Sequence, residues 1–211
     1  MNKLVRKLKK DNIPVLFTYK DIYGLGIEEN KLKYMFEEAI KNECIGNIYK
    51  DIYALIGKYR KTYLSMETIS QKIIPNSYVS THYVLSEEGW IPDGIFSMTC
   101  VTFEESIEID CERYGYYIYY KLYEKELLDG TYIDEDYCGF YRKAKPLRAL
   151  CDLIYLRKES WRYIHSLEDN LRIDTYELAK LKSEDFDELQ GKFNIKNVEE
   201  FLEGIRKELN V

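Results

Sequence analysis

The chain has 211 residues, 45% of them hydrophobic and 32% charged, which is typical of globular proteins rather than disordered ones. It has no run of 18 or more apolar residues, so no membrane-spanning helix is expected. The charged segment MNKLVRKLKKDN lacks the apolar core of a secretory signal, and the sequence therefore predicts a cytoplasmic protein without a membrane partner.

Charge is distributed unevenly along the chain. Residues 1–63 contain 13 Lys/Arg and 8 Asp/Glu, whereas residues 64–211 contain 18 Lys/Arg and 29 Asp/Glu. A basic segment joined to an acidic one favours an anionic partner for the first segment. Nucleic acid is favoured over a membrane, because no basic amphipathic helix with a broad aromatic face is present.

The first 55 residues predict a helix, a short helix, a long helix and a hairpin, in that order. Residues 2–10 place Leu4, Val5 and Leu8 at helical spacing, and Thr18 can cap a short helix over 19–23. Residues 28–42 carry an amphipathic stripe, and apolar residues alternate through 45–55 around turn-like segments at Gly46–Asn47 and Lys50–Asp51. This order predicts a winged helix-turn-helix, whose long helix would lie in the major groove of DNA.

The polar face of the long helix and the hairpin supply the candidate DNA-binding residues. On the helix these are Asn30, Lys31, Lys33, Tyr34 and Lys41, and on the hairpin Asn47, Tyr49 and Lys50. Amide and ammonium groups can bind base edges or phosphates. Lys20 and the first-helix residues Arg6, Lys9 and Lys10 are candidate phosphate contacts.

A solvated helix face is the alternative interpretation of the same residues. The long helix also contains Glu28, Glu29, Glu37 and Glu38, which would repel phosphate unless they point away. A winged helix can also serve only to dock a protein. The sequence leaves DNA binding and protein docking both open.

The rest of the chain predicts a larger α+β domain. A linker is expected at 57–64, and a helix at 65–74 is capped by Ser65 and ended by Pro75. Another helix starts after Ser80. Strands are predicted at 94–103, 106–113, 114–123 and 137–144, and helices at 146–158, 159–168, 174–181, 184–190 and 196–208. The predicted fold class is α+β, with a winged helix-turn-helix at 1–60 and, at 61–211, a mostly antiparallel sheet with a helical C-terminus.

No motif in the sequence indicates an enzyme, a cofactor or a metal site. Phosphate-binding glycine loops, the GxSxG elbow and HExxH are missing from the sequence. The cysteines form no CxxC pair and are expected to be mostly buried thiols. The acidic run Asp134–Asp136 is interpreted as a loop facing water. A metal-dependent nuclease that uses such acids with Lys121 or Lys143 is the weakest alternative.

A second basic cluster lies within the acidic part of the chain. It consists of Arg142, Lys143, Lys145 and Arg148. These residues could extend the DNA footprint or hold RNA or a phosphate. Alternatively they pair with neighbouring acids such as Asp152 and Glu159, because Arg148 and Asp152 have the i, i+4 spacing of a helical ion pair.

Several segments, in order, resemble one family of bacterial regulators. The segments IPNSYVSTHYVLSEEGWIPD (74–93), the strand around MTCVT, and YCGFYRKAKPLRALCDLIYL (137–156) are similar to segments of the abortive-infection AbiEi-like antitoxins of type IV toxin–antitoxin systems. VLFTYKDIYGLGI and DIYALI resemble the family's N-terminal domain, so the likeness covers about 1–158. The chain departs from the family at Leu147-Arg148-Ala149, where the family has Glu-Lys-Ala, and at Thr81-His82-Tyr83, where it often has small residues. The hairpin is also poorer in basic residues.

The resemblance implies an antitoxin that represses its own operon. Its N-terminal domain would bind inverted repeats in the promoter, and its C-terminal domain would contribute to repression and carry antitoxicity. The functional partner would be a nucleotidyltransferase-like toxin, which in these systems is not thought to need a direct complex. The competing expectation is a protein-interaction module that docks a partner, such as the toxin, through the acidic domain.

Overall fold

The computed structural model describes residues 2–60, 63–123, 125 and 127–211. These residues form a mixed α+β fold with two sheets. None of the helices in this part of the chain combines the length and apolarity needed to cross a membrane. The predicted linker at 57–64 contains a 3₁₀ turn at Gly57–Tyr59, while its residues 61 and 62 lie outside the described residues.

The N-terminal unit contains the predicted helices and hairpin and one additional strand. Its elements are α1 (Lys3–Lys10), β1 (Leu16–Thr18), a 3₁₀ turn (Lys20–Leu25), α2 (Glu29–Lys41), β2 (Ile45–Tyr49) and β3 (Ile52–Leu55). The short helix expected at 19–23 is therefore a 3₁₀ turn. Thr18 and Asp21 cap the N-terminal end of this turn, because each side chain accepts a hydrogen bond from the other's backbone N–H. Strand β1 pairs with β3, which gives an antiparallel sheet in the order β1-β3-β2.

The two faces of this small sheet pack into different cores. Phe17, Ile45 and Leu55 face α1 and α2 and join an apolar cluster confined to the N-terminal unit. Ile48 and Ile52, on the opposite face, join the large core of the rest of the chain. Because neighbouring strand residues point to opposite faces, the small sheet lies between its own helices and the second unit.

Within the described residues the larger sheet is mixed: three of its strand pairs are antiparallel, in line with the predicted majority, and two are parallel. Its strands are β4 (Ser77–Val79), β5 (Ser97–Thr102), β6 (Ile107–Asp110), β7 (Tyr116–Lys121), β8 (Thr131–Asp136) and β9 (Gly139–Ala144). They lie in the order β6-β7-β5-β4-β9-β8. The pairs β4–β9 and β5–β7 are parallel, because helices or long connections separate these strands in the chain and allow crossovers that tight hairpins do not.

Two of these strands, β4 and β8, were not predicted from the sequence. The acidic run Asp134–Asp136 belongs to β8 and is not a loop, which corrects the prediction. Asp136 is held in place by Ser65, whose hydroxyl donates to it, and by Thr68 Oγ1 at 2.7 Å. Tertiary hydrogen bonds of this kind offset the low strand propensity of aspartate.

The predicted helices of the second unit are present, and one of them is buried on all sides. They are α3 (Met66–Ile73), α4 (Thr81–Glu87), α5 (Pro146–Arg157), α6 (Ile164–Leu171), α7 (Thr175–Leu178), α8 (Ser183–Asp187) and α9 (Lys196–Leu209). Ser65 caps α3 as predicted. In α5, residues 147–154 are all buried rather than lying on one apolar face, because α4 and α9 pack against it.

The cysteines are buried, as the sequence predicts: Cys44, Cys100, Cys111, Cys138 and Cys151. Burial raises the pKa of Cys100 to about 12 and, with the charge of Asp110, raises that of Cys111 to about 11. These two thiols therefore stay protonated at neutral pH, where a thiol is a weak nucleophile.

Candidate nucleic-acid interface

Helix α2 presents a continuous polar face to solvent. Leu32, Phe36 and Ala39 bury the opposite side. The exposed candidate residues of this helix are Asn30, Lys31, Lys33, Tyr34 and Lys41. Among the described residues, no carboxylate lies within ion-pair distance of the three lysines. Their ammonium groups are therefore available to an external anion.

Acidic residues share that face of α2 instead of pointing away from it: Glu29, Glu37 and Glu38 are all exposed. Glu37 is four residues from both Lys33 and Lys41, which places it between them on the helix surface. The exposed face of α2 is thus mixed in charge, with acids lying between its lysines.

The hairpin candidates are only partly available for DNA. The amide of Asn47 donates to the carbonyls of Lys50 at 2.7 Å and Ile52 at 3.2 Å, so its donors hold the turn together. Asn47 is therefore a poor candidate for reading bases. Lys50 has a positive φ of 47° at the turn, and its ammonium lies 5.0 Å from the centre of the Tyr49 ring.

The tip of the hairpin lies against an acidic part of the second unit. Lys50 and Tyr49 line the same shallow cavity as Glu104 and Glu105 of the β5–β6 loop. Both glutamates are exposed. Because Ile48 and Ile52 are buried in the large core on that side, the hairpin cannot move away from these charges without exposing apolar surface.

If the N-terminal unit binds DNA, as the sequence predicts, neutralising this acidic loop is expected to strengthen that binding. In Glu104→Gln/Glu105→Gln the repulsion of phosphates near Lys50 is removed, so we expect a roughly 3- to 10-fold gain in affinity at low salt. Fluorescence anisotropy with a labelled duplex measures the change. The matched control is Glu203→Gln/Glu208→Gln on α9, for which no gain is expected, and an equal gain in both variants would contradict a local effect.

The remaining phosphate candidates are exposed on the N-terminal unit. Lys20 lies at the start of the 3₁₀ turn, and Arg6, Lys9 and Lys10 lie on the solvent side of α1. α1 packs against α2. These four cations and the lysines of α2 therefore belong to one folded unit.

The second basic cluster does not form a shared anion-binding surface. Lys143 is nearly buried and pairs with Glu87 at 2.6 Å and Glu88 at 2.5 Å. Lys145 pairs with Glu188 at 2.6 Å. Burial alone would lower the pKa of Lys143, but the hydrogen bonds to the two glutamates outweigh it and raise that pKa. The ion-pair interpretation therefore applies to these lysines, with partners that differ from the acids expected from the sequence.

Arg148 is fully buried on α5 and forms the predicted ion pair with Asp152, at 2.9 Å. Its guanidinium also donates to the Tyr78 hydroxyl at 2.6 Å and to the carbonyls of Leu127 and Asp129. Burial would lower the pKa of Arg148, but the Asp152 carboxylate raises it more. Arg148 is therefore a charged structural residue that cannot reach a nucleic acid.

The carboxylate of Asp152 is bound from three sides. Besides Arg148, it accepts hydrogen bonds from Ser80 Oγ and Tyr123 Oη, both at 2.6 Å. Burial, followed by the charge of Asp152, raises the pKa of the Tyr123 hydroxyl well above its ordinary value, so this group remains a donor. The network joins the residue that precedes α4, the segment that follows β7, and α5.

Arg142 differs from the other three members of the cluster. Its Nη1 donates to Thr131 Oγ1 at 3.2 Å, and no carboxylate of the described residues lies within 4.0 Å of it. Strand alternation places Arg142 and Lys143 on opposite faces of β9. The sequence does not distinguish these two residues, because the segments that pack against each face are known only from the tertiary structure.

Comparison with known proteins does not add to these observations: no protein-family model matches the chain, and no curated protein matches it. The resemblance to AbiEi-like antitoxins therefore stays a prediction from the sequence segments.

Proposed function

We propose that this protein is a non-enzymatic, DNA-binding transcriptional repressor that acts through its N-terminal unit. The observation that carries the proposal is the solvent face of α2, where Lys31, Lys33 and Lys41 are exposed with no carboxylate of the described residues in ion-pair contact. Cations held on a rigid helix suit phosphate and base contacts in the major groove.

The arrangement of the N-terminal elements supports the same proposal. Helix, strand, 3₁₀ turn, helix and hairpin follow one another, with the sheet order β1-β3-β2, and this order supports the proposal of a winged helix-turn-helix. In such a unit α2 is the recognition helix and β2–β3 the wing. We infer that α2 and the exposed cations of α1 make most of the DNA contacts, because one face of the wing is buried.

The resemblance to AbiEi-like proteins suggests the operon and the physiological role. We propose that the protein represses its own promoter at inverted repeats and acts as the antitoxin of a type IV system with a nucleotidyltransferase-like toxin. The Arg148–Asp152 pair, which occupies the positions of the family's Lys and Asp, would then be a structural requirement of the antitoxin domain.

A gel shift with the DNA upstream of its own gene tests the repressor function. We expect a complex that survives an excess of random duplex and that weakens steeply as salt rises, because phosphate contacts release bound cations. Loss of the complex to random competitor would contradict sequence-specific repression.

The alternative function is docking of a basic protein, such as the toxin, on the acidic second unit. It is favoured by a row of exposed acids along the β5–β6 loop, the edge strand β6 and the turn after it: Glu104, Glu105, Glu108, Asp110 and Glu112. The variant Glu104→Gln/Glu105→Gln separates the two functions. It strengthens binding if the partner is DNA, and it weakens co-elution with the toxin if the partner is a basic protein.

A further inference from the structure

A groove of about 240 Å³ opens on the larger sheet where β4 begins beside β9. Its lining combines apolar side chains with one guanidinium: Phe103, Leu128, Ile133, Phe140 and Arg142. We propose that this groove binds a small aromatic monocarboxylate, with the ring between the apolar side chains and the carboxylate on Arg142. The site is distinct from the DNA-binding surface and does not depend on it.

The groove lies where the pairing of β4 with β9 gives way to a side-chain hydrogen bond. Strands β4 and β9 pair in parallel at Val79 and Lys143, and the backbone N–H of Arg142 is bound instead by Gln71 Oε1 at 2.8 Å. Gln71 is fixed in turn, since its amide donates to the carbonyl of Pro75. The side chain of Gln71, on α3, therefore holds the backbone in place at this end of the sheet.

The apolar lining is preformed and exposed. Phe140 and Arg142 are two residues apart on β9, and Ile133 of β8 lies opposite Arg142, so all three share one face. Phe140 is 66% exposed and Ile133 is 62% exposed. Phe103 packs on Tyr78, with ring centres 6.1 Å apart. A mostly apolar lining with a few placed polar groups is typical of a small-ligand pocket.

The charge of the groove selects a monoanion. Arg142 contributes one guanidinium, a group that binds carboxylates through two parallel hydrogen bonds. Lys143 and Lys145 are neutralised by their own acids and add no further positive charge. Glu135 lies opposite Phe140 on the same face, and its negative charge repels a dianion more strongly than a monoanion. A doubly charged phosphate is therefore a poorer ligand than a carboxylate.

The size of the groove limits the ligand to a compact one. Its volume is below the range of roughly 300–1,000 Å³ that is usual for drug-sized ligands. A single aromatic ring with one carboxylate satisfies this limit, and 4-trifluoromethylbenzoate is a suitable probe because its fluorine signal reports binding directly. The neutral 4-trifluoromethylbenzamide has nearly the same shape without the charge.

We expect ¹⁹F NMR titration of the full chain to show that the benzoate binds roughly tenfold more tightly than the benzamide, because a charge-assisted hydrogen bond is stronger than a neutral one. In Arg142→Gln this difference should disappear, with both probes binding at the benzamide's affinity. Phe140→Ser should weaken both probes. The control Arg172→Gln, which removes an exposed arginine paired with Asp93, should change neither affinity.

Two results would overturn the proposal. One is equal affinity, or no detectable affinity, of the unaltered protein for the two probes. The other is retention of the benzoate preference in Arg142→Gln. Thermal melting of each variant confirms that it is folded, and because Arg142 and Phe140 are not buried, neither substitution should unfold the chain. DNA binding by the same samples is measured separately, so failure of this proposal does not affect the repressor function.

Discussion

Replacing Arg148 with alanine is expected to lower the free energy of unfolding by about 3–5 kcal/mol. The guanidinium and the Asp152 carboxylate are both fully buried, so the substitution leaves an uncompensated charge inside the protein. It also removes a hydrogen-bond donor from the Tyr78 hydroxyl and from the carbonyls of Leu127 and Asp129. A buried polar group without a partner is costly because it has left water and gained nothing in return.

Two further variants distinguish loss of the buried ion pair from loss of side-chain volume. Arg148→Lys keeps the charge but replaces the planar fork with a single ammonium, so it should recover only part of the stability. Asp152→Asn should also destabilise the protein, since it leaves the buried guanidinium without a counterion. These three variants test the ion pair rather than the space that it fills.

Urea unfolding followed by tryptophan fluorescence measures the effect, because Trp90 and Trp161 are buried in the large core. The control is Arg172→Ala, whose arginine forms an exposed pair with Asp93. Exposed pairs contribute about 1 kcal/mol or less. An unfolding midpoint for Arg148→Ala equal to that of the control would contradict the structural role.

The double substitution Lys33→Glu/Lys41→Glu is expected to reduce DNA affinity by at least about 100-fold near physiological salt. Each reversal removes one cation and adds an anion at an end of the α2 face. The dependence of binding on salt should also become shallower, by about one unit of logarithmic slope for each phosphate that the protein no longer neutralises. The reversals create like charges next to Glu37, at a cost in helix stability of about 0.5 kcal/mol for each pair.

Anisotropy titrations at several salt concentrations measure both quantities, and circular dichroism checks that α2 remains folded. The matched control is Lys196→Glu/Lys207→Glu on α9, which changes the net charge equally. We expect the control to bind DNA within a few-fold of the unaltered protein. Equal losses in both variants would mean that net charge, and not α2, governs binding, and an unchanged affinity in Lys33→Glu/Lys41→Glu would exclude α2 as the recognition helix.

Local signals in the sequence were sufficient for most of the helices. The apolar spacing of Leu4 and Leu8, the cap at Ser65 and the turn at Lys50–Asp51 each act within a few residues, so α1, α3 and the β2–β3 hairpin were predicted at nearly their observed positions. The helix propensity and periodicity of residues 28–42 likewise predicted α2 to within a residue at each end. Such signals are readable because the interactions that they describe are local.

Strands β1, β4 and β8 were missed because non-local contacts form them. β4 has three residues, and it is a strand because β5 pairs with it on one side and β9 on the other. β8 contains three acids, and its strand conformation depends on pairing with β9 and on the hydrogen bonds to Asp136. A short or acidic segment has little strand preference of its own, so its conformation depends on its partner.

The candidate site likewise combines features that local sequence signals predict with features that depend on distant segments. Residue order alone was enough to predict which residues of α2 face solvent and that Arg148 and Asp152 stand one helical turn apart. The packing of distant segments was needed to establish which of the basic residues meet an acid, which face of the hairpin is buried, and where the sheet opens beside Arg142. The physical reason is that exposure on a helix follows from its own periodicity, whereas the partner of a charge is set by segments distant in the chain that the fold brings together.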